Sequence, residues 1–355
     1  MKITVLLGGT SAERDVSIAS GGRIIHALRG RGHDVTAVDP ASGPLDAGAE
    51  AALLAHGVGA EPPSLEQLAR MSRGAISPRL AELPDVTGAD VVFLALHGGS
   101  GEDGSIQAML DMADVTYTGS GHLASALAMD KDLSKILFRA AGVRTADWLM
   151  ATVEGGTRLA KEIESTLGLP VVVKPSKQGS TVGLSVVKER AQLLAAIGEA
   201  YRFDDEVMVE RFVPGRELTV GILGDQALPV IEIKPVKEIY DYECKYTKGM
   251  AEEFPAVLSP AENEEIRDQA LRAFRSLKLG GYARIDFRMT EAGEFYCLEA
   301  NTLPGMTETS LIPQGALAAG LSFADLCERI VRLALEGRAV GGRGAGAQPA
   351  GAGGR

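Results

Sequence analysis

Basic residues are the first shortage: 36 Lys and Arg stand against 47 Asp and Glu, a formal net charge of −11. Binding to a phosphate backbone runs on lysine and arginine, so this balance argues against a nucleic-acid protein and for small-molecule partners. Cysteine is scarce as well. Cys244, Cys297 and Cys327 share no CxxC or Cys/His spacing, which indicates neither a zinc site nor a disulfide framework and fits free thiols in a reducing cytosol. Long apolar runs are also missing. The run 3–7 is far shorter than a signal-peptide core and no stretch approaches about 20 apolar residues, so a cytoplasmic protein is expected, neither secreted nor membrane-spanning. Aromatics reach only 5%, yet 45% of the chain is hydrophobic, enough for one large core or two to three smaller ones with helix and sheet mixed.

The first forty residues read as a strand (3–7), a Gly8-Gly9-Thr10 turn, a helix (16–28) and a strand (34–38), an open α/β start. Residues 41–89, rich in Ala, Gly and Pro with weak helical periodicity near 65–71, read as a surface excursion. The run DVVFLAL at 90–96 has the continuous apolar character of a buried parallel strand. It stops at His97-Gly98-Gly99, a strand-end position where α/β folds bind ligands. A second unit holds a helix (130–141), a strand closing on Lys174 and a strand at 207–211; a third holds a strand (217–223), a helix (261–277), a hairpin (283–289 with 295–300) and a last helix (323–335). The expected units are 1–119, 120–210 and 211–338, followed by a glycine-rich tail, 339–355, that cannot bury apolar surface and should be disordered.

In a strand, residues two apart share a face, so Arg284 and Asp286 project together while Ile285 and Phe287 project the other way; Glu299 and Asn301 are likewise neighbours. If the hairpin pairs Thr290 with Phe295, Asp286 lies opposite Glu299 and Arg284 opposite Asn301. Two opposed carboxylates repel unless a cation lies between them, and hard oxygen donors suit magnesium completed by substrate phosphates. A solvated, charged sheet face with Arg284 as counter-ion fits the same residues, and the hairpin alone does not choose. Upstream, Val171-Val172-Val173-Lys174 ends a buried strand on an ammonium group that needs an anion, and the turn 175–183 offers backbone N–H groups and hydroxyls to phosphates. It lacks the GxxxxGK[ST] order, so an ordinary hairpin turn with a surface lysine stays open as well.

Together these residues resemble one family, the ATP-grasp D-alanine–D-alanine ligases. The segments that carry the resemblance are LLGGTSAERDVS (6–17), HGGSGEDG (97–104), YTGSG (117–121), ALAMDK (126–131), VVKPSKQGSTVG (172–183), ERFVPGRELTV (210–220), YDYECKY (240–246), ARIDFRM (283–289) and LEANTLPGMTETSL (298–311). Only 41–89 and the residues after 335 lie outside it. The resemblance implies an α/β chain, α+β in its ATP-grasp part, with three subdomains of which the N-terminal one is an open α/β domain. It implies ATP-dependent joining of two D-alanines through an acyl phosphate, two Mg2+ ions for which Mn2+ can substitute, and a homodimer.

By the same resemblance Lys131, Lys174 and Lys245 would meet ATP phosphates, and Glu210, Phe212, Val213 and Glu217 would surround adenine and ribose. Asp286, Glu299 and Asn301 would hold the metal ions. Glu13, with Ser180 and Tyr246, would take the ammonium group of the first D-alanine, and His97 would lie near it. Arg284 and the Gly305 N–H would stabilise the oxyanion, while Ser310 and the Leu311 N–H would bind the second carboxylate. The polar stretch 235–255 would be a lid, and the Lys245-Tyr246 pair matches dipeptide-forming rather than depsipeptide-forming relatives. Two other readings differ in testable ways. An ATP-grasp ligase of other amino acids, or a carboxylating relative, has no reason to carry Glu13 with Ser180 and Tyr246; a nucleotide-binding module without catalysis has no use for Arg284 beside Asp286, Glu299 and Asn301. The glycine spacing at 8–9 is not GxGxxG, which argues against a dinucleotide enzyme.

Overall fold

A computed structural model describes residues 1–55, 57–59, 63–75, 77–152, 156–179, 182–236 and 249–341. Strand β1 (Lys2–Leu6) is buried along four consecutive residues because it is sandwiched between parallel neighbours, β2 (Asp34–Asp39) and β4 (Val91–Leu94), with helices on the sheet faces. Helix α1 (Arg14–Gly30) makes the crossover from β1 to β2, and the short β3 (Gly43–Pro44) adds an antiparallel edge, giving the order β3-β2-β1-β4. Residues 41–89 hold more structure than their composition suggests. Helices α2 (Ala47–Leu54), α3 (Leu65–Gly74) and α4 (Pro84–Thr87) form there, the first two begun by Asp46 and Ser64 side chains that accept backbone N–H bonds. Leu80 and Val86 from this segment enter the first core, so it is not a mere excursion.

Helices α5 (Ser105–Met112), α6 (His122–Met129) and α7 (Lys131–Ala140) lead to a second, antiparallel sheet of order β5-β8-β6-β7. Its strands are β5 (Trp148–Ala151), β6 (Val171–Pro175), β7 (Ser185–Val187) and β8 (Val207–Arg211), backed on one face by α8 (Gly156–Leu167) and α9 (Leu193–Ala200). A third sheet runs β12-β11-β9-β13-β14, with β10 (Gln226–Ala227) paired to β9. It is formed by β9 (Arg216–Leu223), β11 (Ile231–Pro235), β12 (Ala251–Pro255), β13 (Tyr282–Met289) and β14 (Phe295–Asn301). Leu218, Val220, Ile285 and Phe287 point to the face covered by α10 (Pro260–Ser276). Helices α11 (Leu311–Ala318) and α12 (Phe323–Gly341) close the chain. The last helix extends beyond residue 335 to Gly341, and its Leu326, Ile330 and Val331 join the same apolar core as β1 and β4. The C-terminal helix therefore packs on the N-terminal sheet.

Candidate active site

The second and third sheets face each other across a cleft that opens to solvent. Strict alternation along β6 sends Val171 and Val173 into the core under α8 and α9, and Val172 and Lys174 into the cleft. The facing wall receives Arg284, Asp286 and Arg288 from alternate positions of β13.

The hairpin is where simple alternation fails and the cleft gains from it. Phe295 pairs with Met289, not with Thr290 as the loop length predicts, and Phe295 and Cys297 are buried in the core. A bulge between Asp286 and Phe287 then shifts the register by one, so that Asp286 does oppose Glu299 and Arg284 does oppose Asn301. Because Leu298 is the extra residue, Leu298 and Glu299 both line the cleft, whereas uninterrupted alternation from Cys297 would turn Glu299 inward. Asp286 accepts from Arg284 Nε and Nη2, each at 2.9 Å, from Thr219 Oγ1 at 2.6 Å and from Asn301 Nδ2 at 3.0 Å. Glu299 lies 3.4 Å from Lys131 Nζ, which donates to the Gln178 carbonyl at 2.7 Å.

These residues fit a hard divalent cation. Two carboxylates and a side-chain amide from adjacent strands share one face, donor types that suit such a cation, while in this structure Arg284 and Lys131 neutralise the carboxylates and the Asn301 amide nitrogen bonds Asp286. Among the described residues no group of three or more His, Cys, Asp and Glu converges, so protein donors alone would leave coordination positions to water or phosphate.

Glu210 faces the same cleft from β8. Its Oε2 accepts from Lys174 Nζ at 2.6 Å, and its Oε1 is bonded by the fully buried Lys135, which also donates to Thr145 Oγ1. Burial acts to raise the Glu210 carboxyl, but the two ammonium groups outweigh it and hold it below the usual carboxylate range. Burial lowers Lys135, while for Lys174 the same effect is overcome by Glu210 and Glu299, which raise it. Phe212 and Val213 extend this wall. Arg288 ties them to the facing sheet, donating to the Val213 carbonyl and to Glu217 Oε2, both at 3.1 Å, with its guanidinium 5.6 Å from the Phe212 ring centre.

Glu13 stands beside the cleft. A Cβ on Gly98 or Gly179 would come within 3.0 and 3.1 Å of Glu13 Oε2, so glycine at both positions lets two loops close on that carboxylate; Gly98, at φ +66°, also needs glycine for its backbone. Glu102 accepts from the Gly98 N–H at 2.9 Å, and burial next to Glu13 pushes its carboxyl up to about 8. Leu311 lines the cleft at the start of α11, whose N-cap is Ser310. Ser310 Oγ accepts from Thr307 N at 2.9 Å, and Gly305 lies so close that a Cβ there would meet that oxygen at 2.7 Å.

His97 differs from the others. Its Nδ1 bonds the Leu303 carbonyl at 2.8 Å and its Nε2 the Ser20 hydroxyl at 3.0 Å, so both ring nitrogens are engaged within the fold. Ser180, Lys245 and Tyr246, with most of the stretch proposed as a lid, lie outside the described residues. The structure adds Lys135 and Arg288 to the site. Both were within reach of periodicity, Lys135 one helical turn from Lys131 and Arg288 two positions beyond Asp286.

An open, mostly parallel sheet followed by two antiparallel sheets that enclose lysines on one wall and paired acids on the other defines an ATP-grasp enzyme. Residues 2–120 match the family described as "D-ala D-ala ligase N-terminus" and residues 137–332 that described as "D-ala D-ala ligase C-terminus". Curated relatives include a D-alanine–D-alanine ligase of Dechloromonas aromatica, 43% identical over 94% of this chain and 97% of the relative. Another, from Geobacter sulfurreducens, is 43% identical over 96% and 97%. Among solved structures, the D-alanine–D-alanine ligase of Bacillus anthracis superposes with a TM-score of 0.74 at 30% identity, over 96% of this chain and 99% of that one. The VanG D-Ala:D-Ser ligase of Enterococcus faecalis gives 0.77 at 28%, over 94% and 98%. The chain belongs to the D-alanine–D-alanine ligase family and is an ATP-dependent ligase of that kind.

Proposed function

We propose that the enzyme joins two D-alanine molecules into D-alanyl-D-alanine for peptidoglycan synthesis, converting ATP to ADP and phosphate through an acyl-phosphate intermediate. The observation that carries the reading is one cleft bringing Lys131 and Lys174 up to Arg284, Asp286 and Glu299. A carboxylate resists amine attack because its carbonyl is poorly electrophilic and oxide is a poor leaving group. Phosphorylation removes both obstacles. The first D-alanine's carboxylate oxygen takes the γ-phosphoryl group. The free amine of the second attacks the carbonyl carbon, a tetrahedral adduct forms, and phosphate departs with the C–O bond.

The side chains serve that sequence by charge and position rather than by covalent participation. Lys131 and Lys174 neutralise phosphate oxygens, Lys174 exchanging Glu210 for them while Lys135 keeps Glu210 ionised toward the base. Phe212, Val213 and Glu217 border the nucleoside. Asp286, Glu299 and Asn301 would hold two Mg2+ ions, Mn2+ substituting, which supply screening between ATP and the incoming carboxylate. Glu13, with Ser180 and Tyr246, takes the first ammonium group. Arg284 and the Gly305 N–H meet the oxyanion, and Ser310 with the Leu311 N–H takes the second carboxylate. By the family resemblance Lys245 would meet the phosphates, and the stretch that holds it is assigned the exclusion of water. No helix among the described residues is long and apolar enough to cross a membrane. Cytoplasmic placement and a homodimer complete the proposal on the family resemblance.

D-serine in the second position is the alternative, because VanG, a D-Ala:D-Ser ligase, is among the similar structures. The test is a product assay with D-alanine, D-serine, D-lactate and L-alanine, singly and in pairs. The expected result is D-alanyl-D-alanine as main product, ATP- and magnesium-dependent, with no product from L-alanine. A dominant mixed product would move the assignment to the second substrate site. In the same assay Arg284→Ala should lower kcat by about 10²–10³ while leaving the KM for ATP nearly unchanged. A rise in that KM at unchanged kcat would remove Arg284 from the oxyanion.

A further inference from the structure

The segment that carries Gly305 is held at both ends by the N-terminal unit. Before it, the Leu303 carbonyl is bonded by His97 Nδ1 at 2.8 Å. After it, the Met306 N–H donates to Ser20 Oγ at 3.0 Å, and the Met306 carbonyl accepts from Arg23 Nη1 at 2.9 Å. Ser20, His97, Leu303 and Met306 are all buried.

The polarity of this chain of bonds follows from its members. Ser20 Oγ accepts from Met306, so its own proton is free for His97 Nε2, 3.0 Å away. His97 Nε2 is then the acceptor and Nδ1 carries the proton, which matches a carbonyl partner at Nδ1. One neutral tautomer satisfies every donor and acceptor in the set. Ser20 and Arg23 lie on α1, one turn apart, and His97 follows β4, so three groups of the N-terminal unit fix a four-residue segment of the third sheet's exit loop.

We propose that Ser20, with His97 and Arg23, is a positioning residue for the oxyanion donor: the N-terminal unit sets where the Gly305 N–H points. The inference rests on the reading of Gly305 and Arg284 as oxyanion donors. It explains why His97 is buried beside the site with both ring nitrogens spent. Its physical basis is the steep dependence of catalysis on placement. A shift of about 1 Å in a catalytic group lowers the rate by about 10² without abolishing substrate binding.

The experiment compares wild type, Ser20→Ala, Ser20→Thr, Arg23→Met and Arg284→Ala in the full-length enzyme. It measures kcat, the KM for ATP, thermal stability, and affinity for a phosphinate dipeptide whose tetrahedral phosphorus mimics the adduct. Ser20→Ala should lower kcat about 10- to 100-fold and weaken phosphinate binding by a similar factor, with the KM for ATP within about twofold. Ser20→Thr, which keeps the hydroxyl, should restore both to within about threefold of wild type, and Arg23→Met should show a smaller loss of the same kind. Wild-type kcat and phosphinate affinity in Ser20→Ala would overturn the proposal. So would a loss that the threonine does not restore, or one shared equally by ATP binding. If Arg284→Ala itself leaves turnover and phosphinate binding intact, the oxyanion reading of the cleft fails. If Arg284→Ala impairs both and Ser20→Ala neither, the positioning role alone fails.

Discussion

An ammonium group buried without a partner costs several kcal/mol, and Lys135 avoids that cost by sharing Glu210 with Lys174. The sharing has a direction. Lys174 lies near the end of its strand at the cleft and can turn to a phosphate, whereas Lys135, with no exposed side-chain surface, is held among Glu210, Thr145 and the Trp148 ring. Lys135 is therefore the group that keeps Glu210 charged once Lys174 leaves it. In Lys135→Met, Glu210 keeps only one counter-ion, and the burial effect that raises its carboxyl is less opposed. We expect about 1–3 kcal/mol of lost stability, less than for a carboxylate stripped of every partner, since Lys174 remains. We also expect a raised KM for ATP that worsens as pH falls, with kcat at saturating ATP much less affected. Chemical denaturation and initial rates across pH check this; an unaltered KM for ATP at every pH would show that Glu210 does not need Lys135.

Helix α10 shows how an element far from the chemistry is fixed by its first turn. Ser259 accepts from the Glu262 N–H at 3.3 Å, Glu262 accepts from the Ser259 N–H at 2.7 Å, and Pro260 occupies the first helical position. Ser259→Ala should lower stability by about 1 kcal/mol and leave kcat unchanged. Loss of activity without loss of stability would mean that α10 does more than support β9 and β13. Such capping signals are local, which is why α10 is legible in the sequence to within a residue or two of its ends. The alternation of Arg284 and Asp286 with Ile285 and Phe287 is legible for the same reason. The register of β14 is not. Loop length predicts a Thr290–Phe295 pair and a regular ladder, while the structure pairs Met289 with Phe295 and recovers the offset with the bulge at Leu298. Burying both Phe295 and Cys297 while turning Glu299 and Asn301 to the cleft needs that extra residue, and the demand comes from the core under α10 rather than from the hairpin itself. The alanine-rich α2 escapes for the opposite reason: AGAEAALL has strong helical propensity but almost no apolar periodicity. Lys135 and His97 are visible as residues, but their partners are distant in sequence, and only the fold brings Glu210 and Leu303 to them.

At the scale of the whole molecule, the N-terminal unit meets the exit of the third sheet through buried polar groups as well as through α12. That makes the junction sensitive to protons. Burial holds the His97 imidazole below its ordinary 6.5; Glu13 acts to raise it, as does the bond to Leu303, and Arg284 acts to lower it. The unfolded chain takes up a proton on this histidine near 6.5, and the folded chain does so only at a lower pH. Between those two values the unfolded state carries more protons, so stability falls as pH drops below about 6.5, by at most about 1.4 kcal/mol per pH unit. Above 6.5 the group contributes no slope. Glu102 has the opposite sense, because its carboxyl is raised to about 8 in the fold. The folded state holds its proton through a range where the unfolded state has lost it, so stability falls as pH rises from about 4.5 toward about 8. The two contributions separate by substitution. Urea unfolding between pH 5 and 8.5 should show that His97→Gln, though less stable overall, loses less stability than wild type on going below 6.5. Glu102→Gln, which keeps an acceptor for the Gly98 N–H, should lose less than wild type between 6.5 and 8. If His97→Gln kept the wild-type slope below 6.5, the imidazole would have to be taking up its proton inside the fold as readily as in water. The Ser20 hydroxyl and the Leu303 carbonyl could not then be holding it in one neutral tautomer between the two units.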